Sequence, residues 1–170
     1  DGASPDANGN SDPTDDSAVT HVTLGESPQI GLAKAVVVGP TKNADGTHTL
    51  TYRIRVENRG DGAVHGVQVT HDLATTFVAA TNFRVDAVSA TGLTPNPLYN
   101  GRTRSDLLSG TDGLALAATG TIDLRVTVTP GANLGPYANT ATGSATSLGG
   151  SALADVSTNG ATSDANGNGD

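Results

Sequence analysis

A strict alternation of apolar and polar residues runs through residues 47–58, THTLTYRIRVEN. One side of this pattern carries only large apolar side chains, those of Leu50, Tyr52, Ile54 and Val56. A period of two places successive side chains on opposite faces of an extended chain. The segment therefore predicts an antiparallel strand with one buried face.

Three other segments have the same period. Their inward positions are Ile30, Leu32, Lys34, Val36 and Val38 in residues 30–38, Val67, Val69 and Leu73 in residues 64–73, and Ile122, Leu124, Val126 and Val128 in residues 121–130. Turn signals separate the segments, at NADG (43–46), NRGDG (58–62) and Pro130-Gly131. Regularly spaced strands of this kind predict an all-β fold, an immunoglobulin-like antiparallel β-sandwich over about residues 30–146.

The composition and the motifs of the chain exclude several classes of function. The formal net charge of −8 argues against nucleic acid as a partner, because phosphate neutralisation needs clustered Lys and Arg. No apolar run is long enough for a transmembrane helix, so we expect no membrane insertion in this segment. The sequence also contains no catalytic motif of a hydrolase, a zinc protease or a P-loop enzyme. We therefore expect a protein that is not an enzyme.

The two ends of the chain resemble each other. Residues 2–12 read GASPDANGNSD and residues 160–170 read GATSDANGNGD, with eight of eleven positions identical. This predicts a tandem array with a period of 158 residues, one domain per repeat. We divide the chain accordingly into a junction (1–17), a sandwich repeat (18–158) and the start of the next junction (159–170).

The junction has oxygen-bearing side chains at every second position. They are Asp6, Asn8, Asn10 and Asp12, followed by Asp15 and Asp16, and in the second copy Asp164, Asn166, Asn168 and Asp170. Such spacing resembles the first half of an EF-hand loop and predicts a calcium site. It departs from that loop in having Ser11 or Gly169 at the sixth position and no Glu at the twelfth. The alternative is a soluble linker that binds no ion.

The stretch TLTYRIRVENRGDGAVHGVQVTHDL resembles the core of the bacterial "conserved repeat domain", an immunoglobulin-like module of large surface proteins. The positions that fit its pattern are Tyr52, Asn58, Gly60, Val67, Asp72 and Leu73, while Ala74 replaces the usual Pro. The resemblance covers nearly the whole chain. It implies export to the cell surface, tandem copies as partners, and a role in adhesion, stalks or filaments.

Lys34 and Asn139 fall on apolar faces of their segments. Collagen-adhesin modules, which are related to this family, join a first-strand Lys to a last-strand Asn by a spontaneous isopeptide bond. The resemblance thus implies a Lys34–Asn139 bond with Asp72 as the assisting acid, although simple alternation points Asp72 away from the interior. The alternative is a Lys34 that extends to the sheet edge and an Asn139 that caps a turn.

Two further features have weaker signals. His65 and His71 lie six residues apart, and we expect a solvated surface pair there. The long stretch 89–113 carries Arg102 and Arg104, which we expect to pair with nearby carboxylates such as Asp106. The function that we expect is a calcium-stiffened spacer or assembly unit outside the cell. The alternative is an adhesin domain that binds a glycan or a protein through the 89–113 loop.

Overall fold

The computed structural model describes residues 5–6, 8–12, 14 and 20–163. Its elements are β1 (Ile30–Lys42), β2 (His48–Asn58), β3 (Val64–Thr70), α1 (Leu73–Thr76), β4 (Asn82–Thr91), β5 (Gly113–Leu114), β6 (Thr119–Thr129), β7 (Thr142–Ser147), β8 (Ala152–Val156) and β9 (Thr158–Asn159). Within these described residues, no helix is long and apolar enough to cross a membrane.

The strands form two sheets that pack face to face. One sheet has the order β4-β6-β2-β1-β9 and the other has the order β5-β3-β7-β8. Neighbouring strands are antiparallel except β1 and β9, which pair in parallel. The predicted all-β sandwich is therefore confirmed.

The core lies between the sheets and consists of the side chains that the alternation places inward. The eight residues expected at its centre are all buried, namely Leu50, Tyr52, Ile54, Val56, Val67, Val69, Leu124 and Val126. On the outer face of β2, Arg53 forms a two-bonded ion pair with Asp123 of β6. Charged residues therefore remain in solvent while the apolar residues of the same strand are buried.

β1 follows its predicted alternation only in its first half. Ile30, Leu32 and Lys34 are buried, but Val36 and Val38 are 47 % and 59 % exposed, so the prediction for these two valines is wrong. The pairing register of β1 with β2 shifts between Val36 and Val38, where Tyr52 and Thr51 are the successive partners. An irregularity of this kind inserts a residue and changes the face on which the following side chains lie, as at Val38. Val36 precedes the shift and keeps the register of Lys34, and it is exposed because it lines the open cleft beside Tyr52 and Tyr137.

The chain enters and leaves the sandwich at the same end, beside the end of β2. Where it enters, Gln29 passes so close to Gly60 that a Cβ on Gly60 would lie 2.5 Å from the Gln29 nitrogen. Where it leaves, the Ser163 hydroxyl donates to the Glu57 carboxylate at 2.6 Å and lies against Gly31. The chain thus stays on the sandwich through residue 163, five residues beyond the boundary expected at 158.

Asn58 fixes the turn after β2. Its buried Nδ2 donates to the carbonyls of Gly62, Leu114 and Ala115 at 2.7, 3.1 and 3.0 Å, and its Oδ1 accepts from Gly60 N. These bonds tie the five-stranded sheet to the segment around β5 of the other sheet. Asn58 is therefore a structural residue that connects the two layers at this end.

We expect Asn58→Ala to lower the free energy of unfolding by about 1–3 kcal/mol, because three backbone carbonyls, that of the buried Leu114 among them, lose their donor. Urea unfolding followed by circular dichroism measures the loss. The matched control is Asn159→Ala at an exposed position, which should change stability by no more than about 0.5 kcal/mol. Equal stabilities for the two variants would contradict the anchoring role of Asn58.

Candidate cross-linking site

Lys34 extends from β1 into the interior of the sandwich. Its side chain follows Ile30 and Leu32 on the inward face, and the residue is only 6 % exposed. The Nζ atom lies 2.5 Å from Oδ1 of Asn139 and 5.6 Å from the centre of the Tyr52 ring. The lysine therefore ends between the sheets and does not extend to the sheet edge.

Asn139 belongs to the extended segment that leads into β7. Its half-buried side chain is an even number of residues from the buried Ala141 and Ala145, as expected for residues on one face of an extended segment. Its Oδ1 accepts hydrogen bonds from Lys34 Nζ, from His71 Nε2 at 2.5 Å and from the Thr76 hydroxyl at 3.2 Å. Its Nδ2 is buried and has no hydrogen-bond partner in the described part of the chain.

His71 is the residue of this site that the sequence analysis missed. The expected surface pair is wrong for His71, which is fully buried, while His65 is exposed. The alternation of the segment contains the signal for a buried His71. Residue 71 is an even number of residues from Val67, Val69 and Leu73, which were all predicted to face inward. The alternation that predicted the core therefore also indicates a buried histidine at position 71.

The segment between β4 and β5 (residues 92–112) holds His71 in place. The backbone N–H of His71 donates to Ser105 O at 2.8 Å, and the buried Tyr99 hydroxyl donates to His71 O at 3.0 Å. The imidazole also packs edge-on against the Tyr52 ring at 5.9 Å. Both the backbone and the ring of His71 thus have fixed neighbours.

Burial sets the electrostatics of the site. It lowers the pKa of the Lys34 amine from 10.5 to about 7. Burial and the charge of Lys34 together lower the pKa of His71 from 6.5 to about 4. Among the described residues no carboxylate pairs with Lys34. The amine is consequently partly uncharged at neutral pH, and the imidazole is neutral.

Asp72 lies outside this group of residues. Its exposed carboxylate caps helix α1, accepting from Thr75 N at 3.1 Å and from the Thr75 hydroxyl at 2.8 Å. These two bonds lower the pKa of Asp72. The structure thus brings Lys34 and Asn139 together but not Asp72, because the chain turns into α1 directly after His71.

A cleft of about 320 Å³ connects the site to solvent. Lys34, Tyr52, Tyr137 and Asn139 are among the residues that line it. A small molecule such as ammonia or water therefore has a path between Asn139 and the outside.

The junction residues lie far along the chain from this site. Asp6 Oδ2 accepts from Ser11 N at 2.9 Å, and Asn10 Oδ1 accepts from Asp12 N at 2.8 Å. Asn8 Oδ1 accepts from Asn10 N at 3.0 Å, so the loop is compact. Ser11 has a φ of 68°, the left-handed conformation at the position where the EF-hand loop has its turning glycine.

The other predicted metal ligands lie outside the described residues. They are Asp15, Asp16, Asp164, Asn166, Asn168 and Asp170. In the part of the chain that the structure describes, no group of three or more His, Asp or Glu side chains is arranged to hold a metal ion.

The 89–113 stretch packs on the sandwich. Arg102 stacks on the Phe83 ring at 3.9 Å and donates to Asn82 Oδ1, while Asp106 accepts from the Thr70 hydroxyl. The predicted pairing of Arg102 with Asp106 is therefore wrong, because the guanidinium turns toward β4 instead.

No protein-family model matches this chain, and no curated protein matches it. The functional argument accordingly depends on the residues themselves.

The low pKa of Lys34 predicts how pH affects a chain that has no cross-link. In Asn139→Ala, Lys34 cannot form the amide bond and keeps a titratable side chain. Its pKa is about 7 in the folded state and 10.5 in the unfolded state, so the unfolded state binds more protons between these two pH values. Its free energy of unfolding should therefore rise with pH across that window.

Urea unfolding at several pH values measures this slope. Lys34→Met combined with Asn139→Ala is the control, since it keeps every other titrating group. The double variant should lack the rise that the single variant has. Parallel pH profiles would show that Lys34 titrates normally in the folded protein.

Proposed function

We propose that this chain is a structural repeat of an extracellular bacterial surface or filament protein, a spacer without enzymatic activity. In this proposal an amide bond between Lys34 and Asn139 locks the sandwich, and calcium stiffens the junction. The observation that carries the proposal is the part-buried 2.5 Å contact between Lys34 Nζ and Asn139 Oδ1. The extracellular location and the immunoglobulin-like family rest on the sequence resemblance.

The energetics of the contact favour the bond. A buried ammonium without a carboxylate partner is costly, and so is a buried amide NH₂ without an acceptor. The reaction removes both groups, because the lysine amine and the asparagine amide become one secondary amide and one ammonia. The unfavourable burial of Lys34 and of Asn139 Nδ2 is thereby relieved.

The bond would also suit a chain under tension. Because Gln29 and Ser163 leave at the same end, opposed pulling would peel β1 away from its neighbours one hydrogen bond at a time. A bond at Lys34 lies four residues inside β1 and would stop this peeling. The load would pass from Lys34 to Asn139 and on through β7, β8 and β9, and residues 35–138 would carry none of it.

Because the chain enters and leaves each sandwich at the same end, the junction would set the distance between neighbouring sandwiches in an array. By the sequence repeat, the chain from Ser163 to the next sandwich corresponds to residues 6–29. Glu26 and Ser27 bond to Ser147 and Asp61, so the connection between one sandwich and the next is at most the length of residues 6–25. Such a length spans about 25 Å as a flexible coil and about 65 Å when extended.

A bound cation would remove much of this freedom. The alternating oxygens of the junction and the left-handed Ser11 suit a loop that wraps a hard cation. Extracellular modules bind calcium with constants of about 10⁻⁴–10⁻³ M. The array would then be stiff where calcium is abundant.

The adhesin alternative has less support. The chain has three tyrosines, two phenylalanines and no tryptophan, and all five rings are buried or half-buried. The apolar side chains Leu93, Tyr99, Leu107 and Leu108 of the 89–113 stretch belong to the core. A loop so engaged offers little apolar surface for a glycan or a protein.

The cross-link predicts an intact mass that is lower by one ammonia in the folded, purified chain. Lys34→Met should restore the full mass and lower the melting temperature by roughly 10–20 °C, because the bond closes a loop of about 100 residues. Denaturing mass spectrometry and calorimetry make the two measurements.

Lys42→Met is the matched control, since Lys42 is the exposed lysine of the same strand. It should keep both the mass deficit and the stability. A well-folded wild-type chain with unmodified mass would refute the cross-link.

The calcium junction is tested with a two-repeat protein. We expect its maximum dimension in small-angle scattering to change when calcium above about 1 mM is replaced by chelator. The control replaces Asp6 and Asp12 by alanine in both copies of the junction. An unchanged dimension together with no heat of binding would leave the junction as a plain linker.

A further inference from the structure

We propose that His71 is the catalytic residue of the cross-linking step, acting on the Asn139 carbonyl oxygen as negative charge develops there. This inference rests on the proposed Lys34–Asn139 bond and names the group that promotes it. The site lies in the interior of the sandwich, where β1 of one sheet supplies Lys34, and the segments after β3 and before β7 of the other sheet supply His71 and Asn139.

The contact with Asn139 favours one tautomer of His71. An amide oxygen only accepts hydrogen bonds, so the 2.5 Å contact with Oδ1 favours the tautomer with the proton on Nε2 over a weaker bond from Lys34 Nζ, which lies 3.5 Å from the same nitrogen. In a neutral ring Nδ1 is then the unprotonated nitrogen, and it has no partner among the residues described. The Thr76 hydroxyl, at 3.2 Å, is a second donor in reach of the same oxygen.

This arrangement matches an oxyanion site. Donors that are already aimed at an oxygen stabilise the negative charge that a tetrahedral intermediate places there. Their effect is larger in a buried site, where little water competes. The bond from His71 N to Ser105 O, the bond from the Tyr99 hydroxyl to His71 O and the T-shaped contact with the Tyr52 ring hold His71 in position before the reaction begins.

The reaction balances without a co-reactant. Lys34 Nζ, as the free amine, attacks Cγ of Asn139, and the carbonyl electron pair moves to Oδ1, where His71 Nε2–H holds it. Nζ then gives up one proton, and Nδ2 gains it. The Cγ–Nδ2 bond breaks as the carbonyl re-forms, so that ammonia leaves and a secondary amide remains. No atom is oxidised or reduced.

His71 would act in its neutral form. Burial and the charge of Lys34 hold the pKa of His71 near 4, so the ring adds no positive charge to the interior. Its neutral N–H still donates to the oxygen of Asn139. Asp72, the nearest carboxylate along the chain, is exposed and engaged in capping α1.

The test follows bond formation in time. The full-length chain is recovered unfolded, diluted from urea into buffer, and quenched at intervals for intact mass. Wild type should lose one ammonia. His71→Leu, which has no donor, should lose it roughly 10²–10³-fold more slowly. His71→Gln, which keeps an N–H donor, should react at an intermediate rate.

Two controls separate His71 from its neighbours. Asp72→Asn preserves the helix cap, because Asn and Asp cap equally well, and it should react like wild type. His65→Leu, on the surface of β3, should do the same. Circular dichroism confirms that each variant is folded. If His71→Leu does not fold, the rate of His71→Gln decides, and a rate below wild type supports the role.

The outcomes distinguish this inference from the proposed function. Wild-type rates in both His71 variants would overturn the role of His71 and leave the cross-link standing. A slow reaction in Asp72→Asn with normal rates in the His71 variants would assign the step to the carboxylate. A wild-type chain that never loses ammonia would refute the cross-link itself and, with it, the role of His71.

Discussion

The burial of one amine between two sheets is the constraint on which the rest of this site depends. Lys34 lies on the inward face of β1, in line with the buried Ile30 and Leu32 and beside the Tyr52 ring. A folded chain must either accept a poorly solvated amine or remove its capacity for charge. The contact with Asn139 offers the second course, because an amide bond has no charge to solvate.

The surrounding architecture can be understood from this constraint. The segment between β4 and β5 has few strand residues, yet it bonds to the backbone of His71 on both sides. The same segment contributes Leu107 and Leu108 to the core. Its length therefore has a structural use, since it covers one end of the sandwich and orients the imidazole toward Asn139.

In the proposed repeat, the position of the two chain ends would give the site a mechanical role. Many residues separate Lys34 from Asn139 in sequence, but the contact lies close to where β1 begins. Because the ends leave together at Gly31 and Ser163, tension would act first on β1. A bond near the start of β1 would then protect the larger part of the sandwich, and the junction would determine how neighbouring sandwiches are spaced.

Local patterns determined the strands and most of the core. The alternation in residues 47–58 placed Leu50 to Val56 correctly because side chains in any strand take opposite faces in turn. The same rule failed at Val38, which follows the register shift, because a bulge has no reliable signature in one sequence. The alternation that predicted the core residues also predicted that Lys34 and Asn139 face inward.

The partners of those residues were decided by tertiary structure alone. The sequence by itself determined that Lys34 and Asn139 face inward, because that follows from parity within each segment. It did not determine that His71 would meet them in place of Asp72. Alternation alone places residue 71 inward and residue 72 outward, but only the packing of the segments after β3 and before β7 brings the imidazole to the Asn139 oxygen and leaves Asp72 as an exposed cap. Which side chains meet across a sandwich depends on how the two sheets are offset, and that offset comes from packing over the whole core rather than from any local pattern.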